Sequence, residues 1–205
     1  EGATVFEGMI LWGGSARIGP KAPIGNYQVR VTAAGHSETR PFKILMDPNL
    51  RGVTESDLKE TFDIAIKIRD RESAANEAVI RIREIRKQME LRLKETSDAT
   101  IVASAKEFLS KLAVVEEDLY QVRNQSWQDP LNFPIKLGNR LSALRRSLET
   151  GEGKPTAGVY KVFGELSKEL DGHLDKLETI LRTGIEQINP MLNNQQLKGI
   201  LDKKR

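Results

Sequence analysis

The chain has 205 residues, 39% of them apolar, with 32 basic and 29 acidic side chains and no cysteine. That composition supports one packed core of medium size and excludes disulfides, thiol catalysis and cysteine-based zinc sites. The net charge of +3 is a small imbalance between interleaved charges: residues 1–45 hold five basic and three acidic residues, residues 46–205 twenty-seven and twenty-six, so neither part is a polybasic module.

No apolar run reaches the roughly 18 residues of a membrane span. The N-terminus lacks a basic stretch followed by an apolar one, so a leader peptide is expected, if anywhere, upstream of Glu1.

The first 46 residues read as strands and turns. Val5–Trp12 is strand-like, and Gly13-Gly14, Gly19-Pro20 and Pro23 punctuate a long turn. Asn26–Ala33 alternates with period 2, placing Tyr27, Val29 and Val31 on one face and Gln28, Arg30 and Thr32 on the other, the pattern of a half-buried antiparallel strand. Ala34-Gly35-His36-Ser37 makes a turn, and Thr39–Leu45 returns with Phe42 and Ile44 inward. Three strands do not enclose a core, so further strands are expected from upstream sequence or a partner.

After a linker at 47–53 the text becomes helical. Thr54 is an N-cap with Asp57 three residues on. Leu58, Phe62, Ala65, Ile68, Ala75, Val79, Ile82, Met89 and Leu93 then repeat at nearly 3.5 residues, in one long helix with a bend allowed near Ser73. Asp63/Lys67, Glu77/Arg81 and Glu90/Lys94 are spaced as exposed pairs worth about 0.3 kcal/mol each.

Thr96-Ser97-Asp98 recaps the chain, and the second helix carries Ile101, Ala105, Phe108, Leu112, Val115, Leu119 and Val122. Trp127, Pro130 and Pro134 stop it. A short third helix holds Leu137, Leu141, Leu144 and Leu148 up to Gly151-Glu152-Gly153. Pro155 suits the first turn of the fourth, which runs through Val159, Phe163, Leu166, Leu170, Leu177, Leu181 and Ile188 to a stop at Asn189-Pro190. Residues 193–205 read as a short helix and tail.

One-sided stripes and short connections predict an antiparallel bundle over residues 54–192, with the third helix either a fourth member or an extension of the second. Lengths of roughly 42, 29 plus 17, and 36 residues at about 1.5 Å each leave both open. The fold class is therefore mainly α: a long antiparallel helical bundle of three or four helices, preceded over residues 1–46 by a short β segment.

Candidate chemistry is sparse. Gly14 to Lys21 superficially resembles a phosphate loop, but Pro20 splits the Gly-Lys pair, Ala22 replaces the hydroxyl residue and no helix follows. Gly151–Thr156 does precede a helix N-terminus, where an anion could bind, although Gly stop and Pro start are ordinary helix punctuation. Glu169 and His173 stand one turn apart, with Asp175 on another face; two ligands do not make a zinc site, and an interfacial histidine is favoured. His36 has no evident partner. Two histidines without cysteine give no pattern for a catalytic triad.

Glu116/Glu117 and Asp171/Asp175 are carboxylate pairs of the kind glycoside hydrolysis uses, but on long helices they read as solvated faces. Arg81, Arg83, Arg86 and Lys87 are diluted by Glu84 and Glu90 and lack interleaved aromatics, so no nucleic-acid partner is expected. Asn124-Gln125-Ser126 fits a glycosylation sequon. Trp127, Leu131 and Phe133 are apolar residues outside the seams, expected to cap the bundle end or else to form a docking patch, with Trp12 a further candidate. No catalytic, cofactor-binding or metal residue is assigned.

The run Gly19-Pro20-Lys21-Ala22-Pro23-Ile24-Gly25-Asn26-Tyr27-Gln28-Val29-Arg30-Val31, followed by Pro41-Phe42 and Asp47-Pro48, resembles a segment near the C-terminus of large bacterial BNR-repeat, sortilin/VPS10-like β-propeller proteins, often labelled glycosyl hydrolases. Asp57-Leu58, Asn76-Glu77-Ala78-Val79, Asp129 to Leu137 and Lys154-Pro155-Thr156 are similar too, so the resemblance spans nearly the whole chain. It implies propeller blades upstream, a β segment belonging to an Ig-like sandwich, a helical appendage and export from the cell. The Ser-x-Asp-x-Gly blade signature is absent, and no catalytic residue carries over. The expected role is non-catalytic: packing on the propeller, or assembly with a protein partner or another copy. The alternative is a wall of a hydrolase site or a glycan-binding module.

Overall fold

The computed structural model describes residues 1–13 and 16–203. Gly14 and Ser15 of the glycine-rich turn, and Lys204 and Arg205 of the tail, lie outside the described residues.

Four α-helices dominate: α1 (Glu55–Glu95), α2 (Ala99–Leu119), α3 (Leu137–Thr150) and α4 (Ala157–Asn194). α1 starts at the expected capping box, in which Asp57 N–H donates to Thr54 Oγ1 (3.1 Å) and Thr54 N–H donates to Asp57 Oδ2 (2.9 Å). The Thr54 hydroxyl also holds the Asp57 carboxyl below its usual range. α1 runs unbroken through Ser73. Asp98 caps α2 through the amides of Thr100 (2.8 Å) and Ile101 (3.1 Å).

Cross-helix contacts decide the open topology. Along α1, Arg83 and Arg86 meet Glu116 of α2, whereas Glu72 meets Arg145 of α3 and Thr61 meets Gly153. Both α2 and α3 therefore run antiparallel to α1, one on its C-terminal half and the other on its N-terminal half. They abut end to end: a Cβ on Gly138 would stand 3.3 Å from the Leu119 carbonyl. α3 extends α2, and the bundle is three rods with the middle one broken. α4 runs parallel to α1, as Tyr160–Glu60, Arg71–Asp171 and Arg81–Glu178 show.

The core is the set of facing stripes, with Ile68, Ile82, Met89, Leu112, Leu170 and Leu181 essentially inaccessible. At about 25 cal/mol per Å² of apolar surface removed from water, each such side chain contributes about 2 kcal/mol.

Several expectations change. α2 stops at Leu119, so Val122 lies outside it and is exposed. Pro155 precedes the N-cap Thr156 of α4 and lies outside the first turn. α4 continues through Pro190 to Asn194, giving up the one amide bond that position 190 would donate to the Glu186 carbonyl. The tail after it is not helical: Ile200 is buried, gripped by Asn189 (Asn189 Nδ2–H to Ile200 C=O 3.0 Å; Ile200 N–H to Asn189 Oδ1 2.7 Å). The exposed pairs also rearrange: Asp63 takes Lys59 (2.5 Å), while Arg81 crosses to Glu178 of α4 and Asp202 of the tail.

The β segment changes most. One two-stranded antiparallel sheet is present among the described residues, β1 (Gly25–Ala33) with β2 (His36–Ile44), paired from Gly25 opposite Ile44 to Ala33 opposite His36. The turn is Ala34-Gly35 alone, both at positive φ (47° and 80°), as a two-residue hairpin turn requires. Apart from Ile44 at the base of β2, which faces Leu58 and Phe62 of α1, neither strand approaches a helix, and their residues are largely exposed, so β1 is not half-buried. Val5–Trp12 is not a strand; it is a strap laid on the bundle, with a turn at Glu7-Gly8 closed by Met9 N–H to Phe6 C=O (3.3 Å).

Candidate docking surfaces at the helix break and the hairpin

The strap does not pair with other backbone as a strand would; helix side chains take its polar groups. Thr4 N–H donates to Ser73 Oγ (3.0 Å) and Asn76 Nδ2–H donates to the Thr4 carbonyl (2.8 Å). Tyr120 accepts from Ile10 N–H (3.0 Å) and donates to Gly8 C=O (3.3 Å). Asn139, buried in the first turn of α3, clasps Trp12 from both sides: Trp12 N–H to Oδ1 at 2.7 Å and Nδ2–H to Trp12 C=O at 2.9 Å. A side-chain amide matches the donor and acceptor of one extended residue, which is why it can stand in for a neighbouring strand. Phe6 anchors the strap, edge-on to Tyr120 (5.0 Å) and beneath the Arg83 guanidinium (4.6 Å).

These clasps place Trp12 at the junction of α2 and α3, where the 120–136 loop leaves and re-enters the bundle. That loop is therefore on the flank of the molecule, midway along, and it does not close the bundle end. Trp127 (70% exposed) and Leu131 (64%) point to solvent, and the Trp12 side chain is 47% exposed. Phe133 is half-buried, with the Arg123 guanidinium 4.5 Å above its ring. The loop is ordered by Asp129, which accepts from the amides of Gln125 (2.6 Å) and Ser126 (2.8 Å) and whose carboxyl is held below its usual range by those amides. The sequon residue Asn124 sits in this turn, half-buried.

The hairpin forms the second surface. Tyr27 stacks on Phe42 (5.6 Å), and the face they share also carries Val29 and Val31 on β1, opposite the Arg40–Glu38 ion pair of β2. Val29, Val31 and Phe42 are 47%, 62% and 46% exposed. These side chains form an open, partly apolar face on an otherwise well-packed chain, a candidate contact surface. At the hairpin's base a cavity of about 220 Å³ opens between Pro23, Ile44, Leu45, Leu58 and Phe62.

The polar residues elsewhere are engaged in packing. Glu169 takes both oxygens to Arg140 (2.9 Å each), and His173 Nδ1 lies 3.6 Å from Asp118 across the α2–α4 seam, so these two do not converge on a metal. Among the described residues no group of three or more His, Asp or Glu could hold a metal ion. Glu116 is not solvated: it is buried and bonded by Arg83 (2.7 Å) and Arg86 (2.6 Å), and Asp171 pairs with Arg71. Arg81, Arg83 and Arg86 are thus spent on internal carboxylates. Gly153 gives its carbonyl to Thr61 (2.7 Å), and Lys154 pairs with Glu60 (3.6 Å). His36 is exposed at the start of β2.

One buried charge group was not foreseen. Glu72, wholly inaccessible, stands 3.6 Å from Arg145, which also pairs with Glu149 (3.1 Å). Burial pushes the Glu72 carboxyl above its ordinary value, and Arg145 only partly offsets this. The clasping amides Asn76 and Asn139 were also missed. Their readable signal is an amide on or beside an apolar stripe, which must find buried partners.

Among the described residues no helix is long and apolar enough to cross a membrane. Compared with protein-family models, curated proteins and solved structures, the chain matches none.

Proposed function

We propose that this chain is a non-catalytic structural and interaction region, acting as part of an exported β-propeller protein by packing on its other domains or assembling with a protein partner. The observation that carries the reading is the hairpin: a nine-residue-per-strand sheet whose Tyr27, Val29, Val31 and Phe42 face no helix, while the central residues of the helix stripes are buried. The ion pairs described above engage Glu116, Asp171 and Glu169, three of the carboxylates considered for chemistry, together with Arg81, Arg83 and Arg86. The sequence resemblance to propeller-protein C-termini supplies the cellular context of the proposal. Its test is an apolar-dye titration and a substrate panel on the isolated chain. Dye binding should fall when Val31 and Phe42 are changed to threonine; turnover of glycosides or peptides would refute a non-catalytic role.

A second reading, a glycan-binding wall of a hydrolase, draws on the exposed indoles of Trp127 and Trp12. Saccharide binding lost in Trp127→Ala would favour it.

A further inference from the structure

We infer that the outer edge of β1 is a pairing edge for β1 of a second copy of this chain, which rests on reading the hairpin as an interaction surface. The two edges of the hairpin are not equivalent. A two-residue turn makes Ala33 and His36 a hydrogen-bonded pair, and pairs alternate from there along the ladder. Gln28 opposite Pro41 and Arg30 opposite Thr39 are then non-hydrogen-bonded pairs, whose backbone groups point away from the hairpin. Pro41 thus removes the central donor from the outer edge of β2, a known block to strand addition. The outer edge of β1 keeps the N–H and C=O of Asn26, Gln28, Arg30 and Thr32, and no helix covers it.

A second β1 fits that edge best in the register of full overlap, which pairs the most residues. Antiparallel pairing with full overlap sets Gly25 opposite Ala33 of the other copy, which aligns outward-pointing residues with outward-pointing ones. Val29 then meets Val29 on the two-fold axis and Tyr27 meets Val31, so the apolar face continues across the joint. On the other face Gln28 meets Arg30. Slipping by two residues in one direction would instead put Arg30 opposite Arg30, a like-charge pair that disfavours it. The antiparallel arrangement also sends the two bundles to opposite ends of the joined sheet, and a self-complementary patch of this kind closes at a dimer.

The test is the mass of the chain by light scattering over a concentration series, with amide exchange on the same samples. Twice the chain mass is expected, with Gln28, Arg30 and Thr32 amides slowed at least tenfold at high concentration relative to low. Arg30→Pro deletes one outward donor as Pro41 does on β2, without removing a backbone bond of the hairpin; only the exposed Arg30–Thr39 side-chain bond (3.3 Å) goes with it. Val29→Lys places two like charges on the axis at an exposed site. Both should give monomers with unchanged helix content, and Thr39→Pro on the β2 edge should leave the dimer. A monomer at every concentration would overturn the inference even where dye still binds the hairpin, an outcome that leaves the interaction reading in place. A dimer indifferent to both β1 variants would overturn it as well, by assigning the contact to another face or to a covering strand elsewhere.

Discussion

Replacing Asn139 by alanine removes the clasp on Trp12 and asks whether the N-terminal strap is held by side-chain amides. Two bonds disappear, at 2.7 and 2.9 Å, from a residue that is nearly inaccessible. A typical bond contributes about 1 kcal/mol net, and partly buried groups left without partners cost about 1–3 kcal/mol. Tyr120 and Asn76 still hold Ile10, Gly8 and Thr4, so the strap should open locally around Trp12 and the bundle should remain. The expected loss is about 2 kcal/mol in urea unfolding, with exchange at the Trp12 amide faster by roughly 10- to 100-fold and little change at Thr4. Asn139→Asp keeps an acceptor for the Trp12 N–H but turns an oxygen toward its carbonyl, so it should be no better than alanine. If both variants unfold and exchange like the parent, the clasp is incidental and the strap is held by Phe6 and its neighbours alone.

Gly184→Ala tests the α2–α4 seam: a Cβ there falls inside the ring of buried Phe108, so overpacking of about 1–3 kcal/mol should outweigh the roughly 1 kcal/mol gained in helix propensity. Thermal melting should show a lower Tm, recovered in part by adding Phe108→Leu; a stabilised single variant would contradict the packing. Glu72→Gln addresses pH. A carboxyl whose folded value is raised above 4.5 keeps its proton longer in the folded state, so its contribution is most favourable below 4.5 and is lost as pH rises through the folded value. The glutamine variant should match the parent in acid and exceed it at neutral pH in urea titrations; a variant weaker at all pH values would show that the Arg145 pairing dominates. Arg81→Met should free the tail, costing roughly 2 kcal/mol and speeding exchange at Ile200 and Leu201, since Arg81 ties Asp202 to Glu178. Unchanged exchange there would assign tail docking to Asn189 and Gln88, which clasp the same two residues.

The helices were legible because a repeat such as Ile101, Ala105, Phe108, Leu112 and Val115 states both period and face, and because Thr54 and Asp98 announce their caps. The hairpin strands were legible for the same reason at period 2. What was not legible depends on groups distant in sequence. Val5–Trp12 has strand-like residues, yet its partners are Tyr120 and Asn139, more than a hundred positions away, and nothing local distinguishes a strap from a strand. Burial of the sheet face was inferred from alternation, which reports amphipathicity and is silent on whether the apolar side is covered. The exposed Trp127 and Leu131 were readable as apolar residues outside the seams; their place at a break in the middle rod required knowing that Gly138 abuts Leu119.

The broken rod also makes the bundle indifferent to what lies between its halves. The chain departs at Tyr120 and returns at Leu137 to almost the same point, so intervening residues can be lengthened, shortened or replaced by a folded insert without altering helix register on either side. Length variation among related chains, and engineered insertions that leave the helices intact, should therefore concentrate between those two residues, where a new binding specificity can be added to an unchanged scaffold.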